Sequence, residues 1–291
     1  MDLEYFHSTV DMFAMSGHTL NLEKFSLLHA SLTLLQNDNH FKKVYFWGKV
    51  LGLDCDYYIA FGYTKDILKG IVFYYSKNAI DWVLLPKTRD MENYLSLIIT
   101  SRFQGDQSLQ VDVMDDKPIP GDEYEAGSDT VASKKLKRWF KIPVYVLKEE
   151  DRLASVVASA TAEGAVVPRG ALYKHPNGDV VPNETFCGLK MDEALVLNNY
   201  CHFRRPLGKW DANLLKRADY NYSIDFLDTI DSDIPINCSW SMQLINYNRT
   251  VMVRSLYWPG MTSFHNLESR IYGFVFFGLG KRNLDIPFMV G

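Results

Sequence analysis

Four groups of residues in this chain have types that chemistry could use. Asp225, Asp228, Asp231 and Asp233 fall within nine residues, and such clustered carboxylates are what a hard divalent cation takes as ligands. The residues between them are Ile224, Phe226, Leu227 and Ile230, so the simpler expectation is the wet face of a short amphipathic helix over Ser223–Ile230. Cys201-His202 pairs two metal-ligand types. Adjacent side chains point apart in a strand or helix, and a buried thiol beside a capping imidazole accounts for them better. Gly278-Leu-Gly280-Lys-Arg-Asn283 follows a strand as phosphate-cradling loops do, but the third glycine is missing and no helix follows to offer its N-terminus. The last group is basic: Lys134, Lys135, Lys137 and Arg138 stand beside Trp139 and Phe140, a pairing that single-stranded nucleic acid uses. Seven carboxylates between Asp112 and Asp129 compete for that run, and the net charge of −4 opposes a polyanion. No GxSxG elbow and no HExxH helix occurs. The expectation is a protein without catalytic residues, cofactor or metal.

The elements that would position these groups are legible from periodicity. Residues 20–36 predict an amphipathic helix, with Asn21 as N-cap and Leu22, Phe25, Leu28, Leu32 and Leu35 at spacings of three and four; Asn37-Asp38-Asn39 ends it. Val44–Gly62 is β-branched, aromatic and interrupted by Gly48 and Gly52, which predicts two paired strands with a turn or bulge at the glycines. Ile71–Tyr75 and Asp81–Leu85 extend that sheet. Residues 104–141 combine acidic, basic, Gly, Pro and Ser residues and predict a long, partly disordered charged surface loop. Ile142–Leu147 then predicts a strand and Glu149–Ala162 a helix, with short helices at Asp192–Tyr200, Ala212–Ala218 and Ser223–Ile230. The last part is β: Ser239–Leu244 and Val251–Trp258 around the turn Asn246–Arg249, then Tyr272–Phe277 as a third strand of an antiparallel meander. Large side chains alternate onto both faces of that meander, so both faces require cover.

The fold class expected is therefore α+β: an N-terminal amphipathic helix, an antiparallel aromatic-rich sheet with a C-terminal meander, a few short helices and one long charged loop. Residues 1–103 and 142–291 are expected to pack as one globular body flanking 104–141. The chain has 291 residues, 47% hydrophobic and 23% charged, which suits a globular protein with a full core. Its aromatic fraction of 14% is high, and aromatic side chains serve cores first and interfaces second. Trp47, Tyr57, Tyr58, Trp240, Tyr257 and Trp258 are the candidate anchors of fold or interface. Four widely spaced cysteines without a CxxC pair point to reduced thiols rather than a zinc module. No secretory leader is visible and no apolar run is long enough for a bilayer, so neither membrane nor secretion is expected. The sequons at Asn183, Asn221, Asn237 and Asn248 are then chance matches.

Several segments taken in order resemble the radial spoke head protein 9 family. They are VYFWGKVLGLDCDYYIAFG at 44–62, RFQGD at 102–106, EEDRL at 149–153, VVPRGALYK at 166–174, YCHFRRP at 200–206, DIPINCSWSMQL at 233–244, VRSLYWPGMTSFH at 253–265 and YGFVFFGLGKRNLDIPFM at 272–289. The resemblance covers the chain from about residue 20 onward and departs in a longer insert between Gly105 and Lys141. The PRGA and WPG segments are also similar to radial spoke head proteins 4 and 6, which leaves a paralogous head subunit as the alternative.

The resemblance implies a structural subunit of the radial spoke head in the axoneme of motile cilia and flagella. That role includes head assembly and the relay of central-pair signals to dynein-driven beating. Implied partners are the head proteins 4 and 6, the MORN-repeat head protein 1 and other spoke subunits, with transient contact to central-pair projections. A β-rich ligand-binding module acting through the loop at 104–141 is the reading from a different class.

Overall fold

The computed structural model describes residues 1–14, 20–114, 144–207, 218–236 and 238–289. The basic run Lys134–Arg138, most of the expected charged loop, and nearly all of the expected helix Ala212–Ala218 lie outside the described residues.

Helices α1 (Phe6–Ala14) and α2 (Leu22–Asp38) come first. The Asn21 side chain accepts from the Glu23 amide, and Glu23 sits in the first turn, where a negative charge complements the helix dipole. Phe25, Leu28, Leu32 and Leu35 are buried as the spacing predicts, whereas Leu22 at the entry is 78% exposed.

Four strands follow: β1 (Lys43–Val50), β2 (Tyr57–Tyr63), β3 (Val72–Ser76) and β4 (Val83–Leu84). After α3 (Asp90–Ile98), β5 (Gln110–Met114) pairs with β6 (Val144–Lys148), which runs directly into α4 (Glu149–Gly164). Short strands β7 (Val166–Pro168), β8 (Leu172–Lys174) and β9 (Val180–Pro182) lead to α5 (Met191–Ala194) and β10 (Tyr200–His202). The meander is β11 (Trp240–Ile245), β12 (Thr250–Ser255), β13 (Met261–Asn266) and β14 (Tyr272–Gly278), closed by α6 (Ile286–Met289).

One eight-stranded sheet organises these parts in the order β11-β12-β13-β14-β1-β2-β3-β4. Its pairs are antiparallel except β14–β1, which is parallel and joins the meander to the N-terminal strands with Gly48 opposite Phe276. Gly48 is obligatory there: its φ is +147°, and a Cβ would lie 2.1 Å from the Phe276 carbonyl oxygen. The ladder slips between Phe46 and Gly48, so the expected irregularity is a bulge within β1.

Alternation along β1 and β14 feeds two cores. Trp47, Val50, Phe274 and Phe276 face α4 through Leu153, Val156, Val157 and Ala160. Val44, Phe46 and Val275 face Phe6, Phe25, Leu28 and Leu32 of the first two helices. The sheet is thus the middle layer of three, and the two-sided burial is met from within the chain.

Three expectations need correction. Ser223–Ile230 is not helical: the segment runs through turns, Leu227 and Ile230 enter different cores, and the Thr229 backbone bridges Cys201. Asp192–Tyr200 breaks into α5 and a 3-10 turn at Leu197–Asn199, where the Asn199 amide caps the Glu193 carbonyl and Tyr200 opens β10. The meander has four strands rather than three, because Met261–Asn266 is also a strand although Thr262, Ser263 and His265 are polar.

Candidate functional site

The six aromatic candidates divide by what their polar atoms do. Trp47 is fully buried, stacks on Phe276 with centroids 5.0 Å apart, and donates its indole N–H to Thr161 Oγ1 at 2.8 Å. Trp258 is buried and donates to Glu163 Oε2 at 2.8 Å, which also pairs with Arg282 at 3.0 Å. Trp240 is buried and donates to Asp233 Oδ2 at 2.8 Å. Tyr57 is buried with its hydroxyl on Glu149, while Tyr58 lies on the opposite face with Lys49 5.7 Å from its ring. Burial pushes both phenols upward, so both remain protonated at neutral pH. Only Tyr257 is half-exposed, its hydroxyl on the Ile234 carbonyl and its ring beneath Arg282.

Polar joints behind these aromatics were missed from sequence because their partners are far apart along the chain. The Glu149 carboxylate, at the start of α4, is 1% exposed and accepts three hydrogen bonds. They come from Tyr57 Oη at 2.7 Å and from the Gln104 and Gly105 amides at 2.8 Å each. The segments RFQGD and EEDRL therefore meet at one carboxylate. Gly105 allows the approach: its φ is +102°, and a Cβ would fall 2.6 Å from the Cys55 carbonyl oxygen. One turn on, the buried Arg152 lies over the Phe103 ring at 4.3 Å and donates to the Ser101 carbonyl at 2.7 Å. Burial lowers its pKa to about 10, which leaves it charged at neutral pH.

The four aspartates are not a wet helix face. Asp225 has a fully buried side chain, gripped in bidentate fashion by Arg169, with the Asn221 amide at 2.9 Å. Arg169 also reaches Asp219 at 2.6 Å. Asp228 holds Arg204 at 2.8 Å and the Leu207 amide at 2.7 Å. Asp233 bridges His202 Nε2 at 3.1 Å and Trp240. These pairs tie the 219–233 segment to β10 at His202 and to the residues just past β7 and β10, Arg169 and Arg204, and so compete with the helical spacing of its apolar residues. Cys201 is buried and His202 faces Asp233, so the two ligand types do not converge. Among the described residues no cluster of three or more metal-ligand side chains occurs.

A cleft of about 490 Å³ is lined by Asp2, Lys43, Tyr45, Tyr63, Phe186 and Tyr272. Asp2 already neutralises Lys43 at 2.8 Å, and burial raises the Tyr45, Tyr63 and Tyr272 phenols. Among the described residues that line the cleft no hydrogen bond pairs a nucleophile with a base, and its tyrosines cannot serve as bases near neutral pH. The glycines of Gly278-Leu-Gly280 pack internally: a Cβ at Gly280 would meet the Phe103 ring at 2.8 Å.

Some of the exposed apolar side chains lie at the two ends of the sheet. Val83 (47%) and Leu84 (55%) form the edge at β4, while Ile234 (76%), Ile236 (66%) and Tyr247 (93%) flank β11 at the opposite edge. No described helix is long and apolar enough to cross a membrane.

Comparison with known proteins bears on the identity of this arrangement. A family model described as radial spokehead-like protein matches residues 2–67. The chain is 38% identical over 291 residues to the radial spoke head protein 9 homolog of Bos taurus, 37% over 290 residues to that of Homo sapiens and 38% over 291 residues to that of Danio rerio. Each alignment spans 100% of both chains.

Proposed function

The chain belongs to the radial spoke head protein 9 family, and from that premise we propose that it is a non-catalytic structural subunit that builds the spoke head. As a radial spoke head component it resides in the axoneme of cilia or flagella and associates with other spoke-head proteins. Its role in the proposal is to hold the head together and pass mechanical load from central-pair projections toward the machinery that regulates beating. Head proteins 4 and 6 and the MORN-repeat head protein 1 are the expected neighbours. Residues 1–103 and 142–291 carry that load as one body.

The observation that carries this reading is where the side chains are spent. Ion pairs and indole N–H groups are consumed inside the molecule as cross-braces between distant segments, and no described cluster is left facing a pocket with reactive geometry. A braced, three-layer body with apolar groups at its sheet ends suits a permanent subunit, whose interfaces need area and rigidity rather than a pocket. Cryo-electron tomography of axonemes lacking this protein is the test. Missing or collapsed spoke heads are expected; intact heads with normal geometry would overturn the proposal.

A further inference from the structure

Strand β11 is an edge that the described chain leaves open. The Leu256 amide donates to the Ser239 carbonyl at 3.0 Å and the Leu267 amide to the Arg249 carbonyl at 2.8 Å, which fixes the phase of the ladder. Antiparallel alternation then turns the main-chain groups of Ser241, Gln243 and Ile245 toward β12, and those of Trp240, Met242 and Leu244 outward. None of these outward groups has a hydrogen-bond partner among the described residues. Natural edges are usually blunted by brevity, proline, a bulge or lysine. The other edge of this sheet follows that rule: β4 has two residues, followed within three positions by Pro86 and Lys87. β11 has six residues, WSMQLI, without charge, proline or bulge.

The strand is also complementary to itself. Pairing two copies about a two-fold axis at Met242 sets Met242 against Met242 and Trp240 against Leu244 on one face. On the other face Ser241 meets Gln243. Apolar residues meet apolar ones, polar meet polar, and no like charges oppose. The outward-facing residues are the ones this register hydrogen-bonds. The same antiparallel arrangement brings the end bearing Ile234 and Ile236 in one copy beside the end bearing Tyr247 in the other, covering three of the most exposed apolar side chains. A two-fold interface requires this self-matching, whereas a strand donated by another protein does not.

We propose that β11 is a homotypic interface, and that two copies of this chain join edge to edge into one continuous sheet. The inference concerns the isolated chain and stands or falls separately from the spoke-head reading. Sedimentation of the full-length protein at micromolar concentrations should give twice the 33.5 kDa monomer mass. Ser241→Lys with Gln243→Lys places lysines opposite each other in the proposed register and should weaken association at least about tenfold. Ser241→Lys with Gln243→Glu places opposite charges there and should restore the dimer. If the doubly basic chain loses its melting transition, the single variant Met242→Lys, which sets a lysine against its own copy on the two-fold axis, replaces it. A wild-type monomer at all concentrations overturns the proposal. So does a doubly basic chain that still dimerises, or a charge-matched chain that does not.

Discussion

The Glu149 joint offers the sharpest test of the bracing argument. Glu149→Gln preserves shape but replaces one carboxylate oxygen with an N–H₂ group. If the remaining oxygen keeps Tyr57 and Gly105, the new amide nitrogen faces the Gln104 N–H, donor against donor. One charge-assisted bond is lost and a buried donor is stranded, costing roughly 2 kcal/mol; the two survivors fall to neutral strength, costing roughly 0.5–1 kcal/mol each. The sum is about 3 kcal/mol. A chain of this length has an unfolding entropy near 0.6 kcal/mol/K, so the melting temperature should fall by about 5 °C. Glu150→Gln is the internal control, because among the described residues the Glu150 carboxylate accepts only the Tyr75 hydroxyl at 3.0 Å, and a glutamine oxygen can still accept it. That variant should cost under about 1 kcal/mol. Differential scanning calorimetry of the two variants decides the matter. If Glu149→Gln melts within about a degree of wild type, or no lower than Glu150→Gln, the joint is not a brace and the reasoning fails.

Three further outcomes are expected. Arg169→Lys cannot reproduce the bidentate grip on buried Asp225 and should cost about 2–4 kcal/mol in urea unfolding, with Asp225→Asn costing a similar amount. Gly48→Ala puts a Cβ against the Phe276 carbonyl at the parallel junction and should abolish soluble folded protein, as read by yield and circular dichroism. His265 is fully buried and accepts the Leu189 amide on Nε2, and burial lowers its pKa to about 4. The unfolded chain takes up that proton below about pH 6.5 and the folded chain refuses it until about pH 4, so stability present above 6.5 is lost as pH falls through this window. By pH 5 the loss should reach about 2 kcal/mol, and His265→Gln should flatten that part of the stability–pH curve.

Parts of this fold were legible because local chemistry and tertiary demand agree. Asn21 caps α2 and Phe25, Leu28, Leu32 and Leu35 bury its inner face, so spacing alone located the helix. The alternating large side chains of the last strands correctly required cover on both faces. β13 escaped because its Thr262, Ser263 and His265 are polar yet buried, masking the strand period. The aspartates between 225 and 233 misled for the opposite reason: their neighbours carry a helical period, while their partners Arg169, His202 and Arg204 lie elsewhere in the sequence. The Glu149 joint gives no local signal, since its donors lie about 45 and 90 positions away. Among the candidate anchors, the indoles of Trp47, Trp240 and Trp258 turned inward to specific acceptors, a choice that aromatic content cannot reveal.

The parallel junction of β1 with β14 also dictates when this protein can fold. Gly48 and Phe276, neighbours across that ladder, are separated by about 230 residues. At typical translation speeds of roughly 5–20 residues per second, β1 leaves the ribosome tens of seconds before the strand that completes it. During that interval β1 and β2 can pair, but one flank of β1 stays open and Trp47 lacks Phe276 beneath it. Vectorial synthesis therefore produces a nascent chain with a sticky, half-built sheet, the kind of surface that holdase chaperones bind. Truncations that remove β14 take away the middle of the sheet, so even short C-terminal losses should leave an insoluble product rather than a trimmed one.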